Sequence, residues 1–409
     1  MARRNRAARV TTPLFTRPSV WFTAAAGDHD NDRKSKNIAT EGEDTMSEPA
    51  AARAAAAPGS SDAQKAYAHM IWQYRNGETV AAMIYVGDQL GLFKAMAGAG
   101  PLSAADLAAK TGLHPRWLLE WMRLQAAGRV LFYRGNDRFE LPAEAHDVLV
   151  DNDSAGFAAS SFLGGHSPEQ LTGLMQSFRT GIGKTYESEG PEAVTKAEER
   201  HRISAERSVV PKMIPALDGV AARLEKGVLA ADIGCGDGAL AIALAMAFPR
   251  STFHAMDASR HAAEHVERRA AEAGLKNLRV FVAPAQKFPL DERYDLITTF
   301  DCIHDMAHPQ AAIEEIYRRL ADDGTWFIKD IRSKPKFEDN MRNPVLAMMY
   351  GFSLFSCMAS AMSEPGGAGL GTLGFNPEVA ETMCRQAGFT RFKPHDFRDP
   401  GNLYYEVRK

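Results

Sequence analysis

The chain has 409 residues, 45% of them apolar and 24% charged, with a formal net charge of -3 at pH 7. That length can bury a sizeable core and fits two or three domains, and the charge gives no overall attraction to nucleic acid or to an anionic membrane. Cys235, Cys302, Cys357 and Cys384 stand far apart with no C-x-x-C pair, which argues against a zinc site or a disulfide framework and suits a reducing cytoplasm; no apolar run reaches the roughly 20 residues of a membrane span.

Residues 1–63 open on "MARRNRAARV" and run into "SEPAAARAAAAPGSSDAQ". Arginine is frequent, acids are late, and no apolar h-region follows, so a secretory signal is not expected. The composition is read as a disordered tail, or as a start set upstream of a true one at Met46, in preference to an organelle transit peptide.

Residues 64–150 are patterned. Val80, Met83, Ile84, Leu90 and Phe93 recur at helical spacing. Ser103 is placed to cap a short helix through Lys110, closed by Gly112. Pro115 opens a second helix to about Ala127. "RVLFYR" and "RFEL" then read as strands joined by a "GND" turn. Helix, turn, helix, hairpin is a winged-helix order. A groove-reading helix needs a polar, basic outer face. This one carries Trp117, Leu118, Leu119, Trp121, Met122 and Leu124, with Arg116 and Arg123 as its cations. A structural or dimerising role is expected, and nucleic acid is not.

Residues 151–226 read as a helical linker with a short helix near "PEQLTGLMQSF" and a longer one kinked by Pro211 and Pro215. Over residues 227–409, strands at "VLAAD", "TFHAMD", "LRVFVA", "YDLITTF" and "TWFIKDI" alternate with helices. One of these is "PQAAIEEIYRRLADDG", with Pro309 at its start and Gly324 past its end. Such alternation implies an α/β, doubly wound sheet. The last two strands, "FTRFKPHDF" and "NLYYEVRK", lack a crossover helix and should pair antiparallel.

The stretch "LAADIGCGDGALAIAL" places Gly234, Gly236 and Gly238 between a strand and a helix. Bare backbone there allows a tight turn and close approach of a ligand, and Asp257, about 20 residues on, suits ribose hydroxyls. Dinucleotides and S-adenosylmethionine both use this layout. Charge separates them. A pyrophosphate seeks the helix N-terminus, and Asp232 beside that pocket would repel it. A sulfonium and an ammonium are drawn to such an acid. An NAD-linked oxidoreductase is thus the less favoured reading, as is a winged-helix DNA-binding regulator with a ligand-sensing Rossmann-like domain.

"DIGCGDG", the acid of "MDAS" and "YDLITTFDCIHDMAHP" resemble the first, second and fourth motifs of class I S-adenosylmethionine-dependent methyltransferases. With the winged helix in front, residues 66–409 resemble the bacterial small-molecule methyltransferases related to plant-type O-methyltransferases. The resemblance implies a Rossmann-like seven-stranded sheet with its last strand antiparallel, and a homodimer. It implies that Gly234, Gly236 and Gly238 line the methionine and ribose part of S-adenosylmethionine, with Asp232 near its amino end. Asp257 would take the ribose hydroxyls, Ala258 beside it would also contact the cofactor, and Ala285 and Gln286 would meet the adenine. Pro284 stands where family members often have an acid.

Ligands of such sheets bind beyond the strand carboxyl ends, where "FDCIHDMAHP" lies. His304 followed by Asp305 resembles the His-Asp pair of the plant-type enzymes, with His304 as general base on the acceptor hydroxyl. Asp301 is expected to contact the cofactor or orient the loop, and His308 to be a loop residue. No metal site is expected. Met348, Met349, Tyr350, Phe352, Phe355, Met358 and Met362, followed by "EPGGAGLGTLG", suggest either a pocket wall and mobile lid for an apolar or aromatic substrate, or a face packed on another domain or a dimer mate.

Overall fold

The computed structural model describes residues 61–409 apart from 155, 163 and 196. The expected tail lies outside the described residues except at its last few positions, where the first helix, Asp62–Gln89, begins.

The N-terminal domain follows its local signals. Ser103 caps the helix Ala104–Thr111 in a capping box with Asp106, and Gly112 ends it in the left-handed conformation. Pro115 starts the helix Pro115–Ala127. The wing is short: β1 (Phe132–Tyr133) pairs antiparallel with β2 (Phe139–Glu140). Leu107, Leu118, Trp121 and Met122 bury against Ile84, Leu92, Phe93 and Met96. The Trp121 indole donates to the Met83 carbonyl at 2.9 Å. Gly87 in the first helix makes room for that indole, since a Cβ there would sit 2.5 Å from it.

The C-terminal domain is one seven-stranded sheet. β3 (Leu229–Ile233), β4 (Thr252–Asp257), β5 (Leu278–Val282), β6 (Tyr294–Phe300) and β7 (Leu320–Ile331) run parallel, joined by helices except between β5 and β6, where a loop connects them. β8 (Arg391–His395) and β9 (Asn402–Arg408) pair antiparallel with each other, and β9 also pairs antiparallel with β7. The order is β5-β4-β3-β6-β7-β9-β8. The chain reverses direction across the sheet between β3 and β6, which makes their carboxyl ends the place for a ligand.

Strand residues alternate between two cores, as the pleat requires. Ile297, Trp326, Ile328 and Tyr405 bury on one face with Ile313, Ile316 and Cys384. Leu296, Phe327 and Tyr404 bury on the other with Leu224, Leu240 and Leu244.

Two expectations are corrected. The helix Pro309–Arg319 ends five residues before Gly324, and β7 starts at Leu320 with a break in register between Tyr294 and Leu296. Gly324 sits at that break, where a Cβ would lie 2.9 Å from the Leu320 side chain and the Tyr294 carbonyl. Pro211 does not simply kink its helix. The segment Glu198–Ser204 widens into a π-type stretch, Ala205–Met213, that holds the proline, and Ile214–Ala216 continues it. A wider turn accommodates a residue that lacks an N–H.

Candidate active site

A cavity of about 510 Å³ opens over the carboxyl ends of β3, β4 and β6, within the usual range for a small-molecule site. Its centre is the glycine turn. Gly234, Gly236 and Gly238 have φ of 66°, 54° and 75°, a region that side chains other than glycine rarely adopt. The three differ in what they face. A Cβ on Gly234 would press on Cys302 at 2.8 Å, and one on Gly238 on Val266 at 2.5 Å, while Gly236 has nothing within 4 Å. Gly234 and Gly236 line the cavity. Gly238 does not, which corrects its expected place in the wall. It opens the helix Ala239–Ala247 and is reserved for close packing against Arg260–Glu272.

The acids converge. Asp232 is 5% exposed and accepts the Thr298 hydroxyl at 2.6 Å. Burial, with Asp237 and Asp257 nearby, pushes its carboxyl up to about 7, although the Thr298 bond pulls the other way. Asp257, at the end of β4, accepts the Gly236 N–H at 2.9 Å and the Ser259 N–H at 2.8 Å. Burial raises its pKa as well, partly offset by those bonds. Asp237 is bonded to His201 Nδ1 at 2.6 Å. Ala258, Pro284, Ala285 and Gln286 line the same cavity.

Among the described residues lining it, Lys329 is the single lysine or arginine, against seven carboxylates: Glu187, Asp232, Asp237, Asp257, Asp301, Asp305 and Glu364. Lys329 is itself ion-paired with Asp301. Asp301, with φ 51°, also accepts the Asn402 amide at 2.5 Å, so it ties the loop after β6 to β7 and β9.

His304 lies beneath the cavity, not in its wall. It is 2% exposed and absent from the lining residues. Its Nδ1 is 2.7 Å from Asp330 Oδ1. Burial alone would push the imidazole toward neutrality, yet Asp330 and the Cys357 side chain raise its pKa well above the ordinary value. His304 and Asp330 thus form a buried imidazole–carboxylate pair. The next residue, Asp305, does line the cavity. His308 lines it too, 3.1 Å from Glu364.

Ten lining residues, Tyr186, Glu187 and His201 among them, come from the segment read as a linker. Tyr186–Glu189 is a single 3₁₀ turn. The Tyr186 hydroxyl donates to Asp305 Oδ2 at 2.9 Å, and Glu187 accepts the Ser259 hydroxyl at 2.7 Å. Thr185 caps the turn by accepting the Ser188 N–H, and Gly183 before it lets the chain lie on the Ala359 carbonyl.

The apolar insertion is placed differently from the expected pocket wall. Met348, Tyr350 and Phe352 are exposed, and its cavity-lining residues are Ser360, Ser363 and Glu364. The glycine-rich loop is packed, not free. A Cβ on Gly367 would meet the Ala361 carbonyl at 2.3 Å, and Ala368 N–H donates to the Ala307 carbonyl at 2.9 Å.

Residues 231–326 match the family model of a methyltransferase domain, and residues 78–150 that of an Rv2258c-like winged HTH domain. Among curated proteins, (S)-coclaurine N-methyltransferase of Papaver somniferum is 28% identical over 28% of this chain and 32% of its own length. (S)-Tetrahydroprotoberberine N-methyltransferase of Eschscholzia californica is 27% identical over the same shares. The chain thus spans about a third of the length of the curated relatives it matches. Solved structures match over far more. A candidate O-methyltransferase of Nostoc punctiforme shares 17% identity and a TM-score of 0.62 over 83% of this chain and 98% of that one. Human N-acetylserotonin methyltransferase, solved with S-adenosylmethionine, shares 20% and 0.57 over 86% and 99%. At such identity the likeness is one of fold. The chain combines a winged-helix N-terminal domain with a methyltransferase domain of the class I S-adenosylmethionine-dependent fold.

Proposed function

We propose that the protein transfers the methyl group of S-adenosylmethionine to an oxygen of a small apolar or aromatic acceptor. One observation carries the reading: a bare glycine turn opens on a cavity with seven carboxylates and one lysine, already paired. Such a wall repels a pyrophosphate and attracts a ligand with a sulfonium and an ammonium. Asp232, Gly234 and Gly236 would hold the methionine part, Asp257 the ribose, and Ala285 and Gln286 the adenine. Bound there, S-adenosylmethionine supplies an electrophilic methyl group. Asp301, paired with Lys329, is assigned to loop positioning. Val194, Met306 and Ala307 provide apolar wall for the acceptor, and the pocket holds it in line by proximity.

The N-methyltransferase relatives favour a second acceptor class, an amine nitrogen. A DNA-binding regulator is disfavoured, because Arg116 and Arg123 on the winged-helix domain are paired with Glu120 and Asp137. We assign the protein to the cytoplasm, where four unpaired thiols, three of them buried, are stable, and to a homodimer.

Calorimetric titration with S-adenosylhomocysteine and with NADH separates the ligand classes. Tight S-adenosylhomocysteine binding, weakened strongly by Asp257→Ala, is expected. NADH binding alone would refute the reading. Radiolabelled methyl donor offered with phenols, carboxylic acids and amines then identifies the acceptor class.

A further inference from the structure

We propose that His201, from the segment between the two domains, receives the α-carboxylate of the cofactor's methionine part, and that Asp237 is its positioning residue. The inference rests on the methyl-transfer reading above and assigns the one charge of S-adenosylmethionine that an acidic wall repels.

The acids of the cavity attract the sulfonium and the ammonium of that ligand, but its carboxylate meets like charge. That end of the molecule needs a cationic donor. Among the described residues lining the cavity, the candidates are Lys329, His308 and His201. Lys329 is ion-paired with Asp301, and His308 Nε2 is 3.1 Å from Glu364. His201 differs from both. Its Nδ1 is 2.6 Å from Asp237 Oδ2, and its Nε2 has no partner among the described residues.

Asp237 stands between Gly236 and Gly238, and both its oxygens are committed. Oδ1 accepts the Ala239 N–H at 3.0 Å, where the helix Ala239–Ala247 begins, and Oδ2 holds His201. Asp237 is therefore spent on the imidazole and leaves the ammonium to Asp232, which has Oδ1 on the Thr298 hydroxyl. The helix that carries His201, Glu198–Ser204, is itself held in place. Ala205 and Val209, just after it, bury in one cluster with Leu240 and Leu244. Glu198 is ion-paired with Arg269 and lies 3.3 Å from His265 Nε2. Arg202 on the same helix is taken by Glu199 and Glu206. The ring is thus presented beside the glycine turn at a fixed place, and a donor set in advance loses little freedom on binding. With Asp237 on Nδ1 and the ligand carboxylate on Nε2, each ring nitrogen faces an acid, which uses both donors of an imidazolium.

The test uses the full chain as wild type, His201→Ala, His201→Gln and Asp237→Asn, with folding checked by circular dichroism. Calorimetry compares S-adenosylhomocysteine with its decarboxylated form, which keeps the adenosine and the ammonium and lacks the carboxylate. Wild type is expected to bind S-adenosylhomocysteine at least about tenfold more tightly than the decarboxylated form. His201→Ala is expected to remove most of that preference by weakening S-adenosylhomocysteine alone. His201→Gln keeps a donor and should leave an intermediate preference; it decides the matter if His201→Ala does not fold. Asp237→Asn keeps an acceptor for the Ala239 N–H and should reduce the preference by loosening the ring. Equal weakening of both ligands in His201→Ala marks a pair that only pins the segment, and overturns this assignment alone. So does an undiminished preference in the His201 variants, or a wild type that binds both ligands equally. A wild type that binds neither ligand overturns it together with the methyl-transfer reading.

Discussion

Asp232 is where the electrostatics of the site are most exposed to measurement. Its carboxyl is held near 7 by burial and by neighbouring acids, against an ordinary value near 4. The unfolded chain therefore sheds this proton first as pH rises. Between about pH 4 and 7 the unfolded state binds fewer protons than the folded one, so stability falls with rising pH across that window and levels off above it. Asp232→Asn keeps an acceptor for the Thr298 hydroxyl and removes the cost of a buried anion. Urea unfolding is expected to show the variant more stable than wild type at pH 8, by roughly 2–4 kcal/mol, and little different at pH 4. A cationic ligand favours the ionised form. Wild-type affinity for S-adenosylhomocysteine, whose ammonium is the relevant charge, is expected to rise up to tenfold per unit toward pH 7 and then flatten. Calorimetry across pH checks this, and Asp232→Asn should bind weakly with the slope reduced.

The glycine turn behaves as an element, because its residues divide the tasks of shape and space. Gly236 needs only its left-handed φ, and its open side is cavity. Gly236→Ala is expected to cost about 1 kcal/mol of stability from backbone strain and to weaken S-adenosylhomocysteine binding. Gly238 needs the same conformation and also the room beside Val266. Gly238→Ala is expected to cost about 3 kcal/mol, strain and overpacking together. Equal destabilisation in urea titrations would contradict the division. The turn Tyr186–Glu189 is a second element of this kind. It touches both ends of the cavity, through Tyr186 at Asp305 and Glu187 at Ser259.

For the whole molecule, the proposed homodimer can be tested on one exposed apolar face. The helix Pro168–Thr180 exposes Leu171, Met175 and Phe178, the last at 73%. The neighbouring insertion exposes Met348, Tyr350 and Phe352. Under the proposed homodimer, a second copy related by a two-fold axis would cover these side chains. Sedimentation of the wild type is expected to give twice the chain mass of 44.7 kDa, and Phe178→Asp a species of one chain. A monomeric wild type would remove the homodimer from the proposal.

The sequence by itself determined what depends on neighbours along the chain. Ser103, Pro115 and Gly112 set helix ends, alternating residues such as Leu296 and Ile297 divided the two cores, and Asp232 with the glycines after it marked the turn that opens on the cavity. Those signals are local because caps, pleats and turns are closed by hydrogen bonds over a few residues. Only the tertiary structure decided which side chains meet across long separations. Tyr186 and Asp305 are 119 positions apart, and no periodicity links them. The pairing of β6 with β7 brings Asp330 under His304, which takes that imidazole out of the wall and leaves Asp305 in it. Packing against Val266 likewise withdrew Gly238 from the cavity. Close packing assigns each such residue to one face, and that choice is made by the strands and helices it lands between.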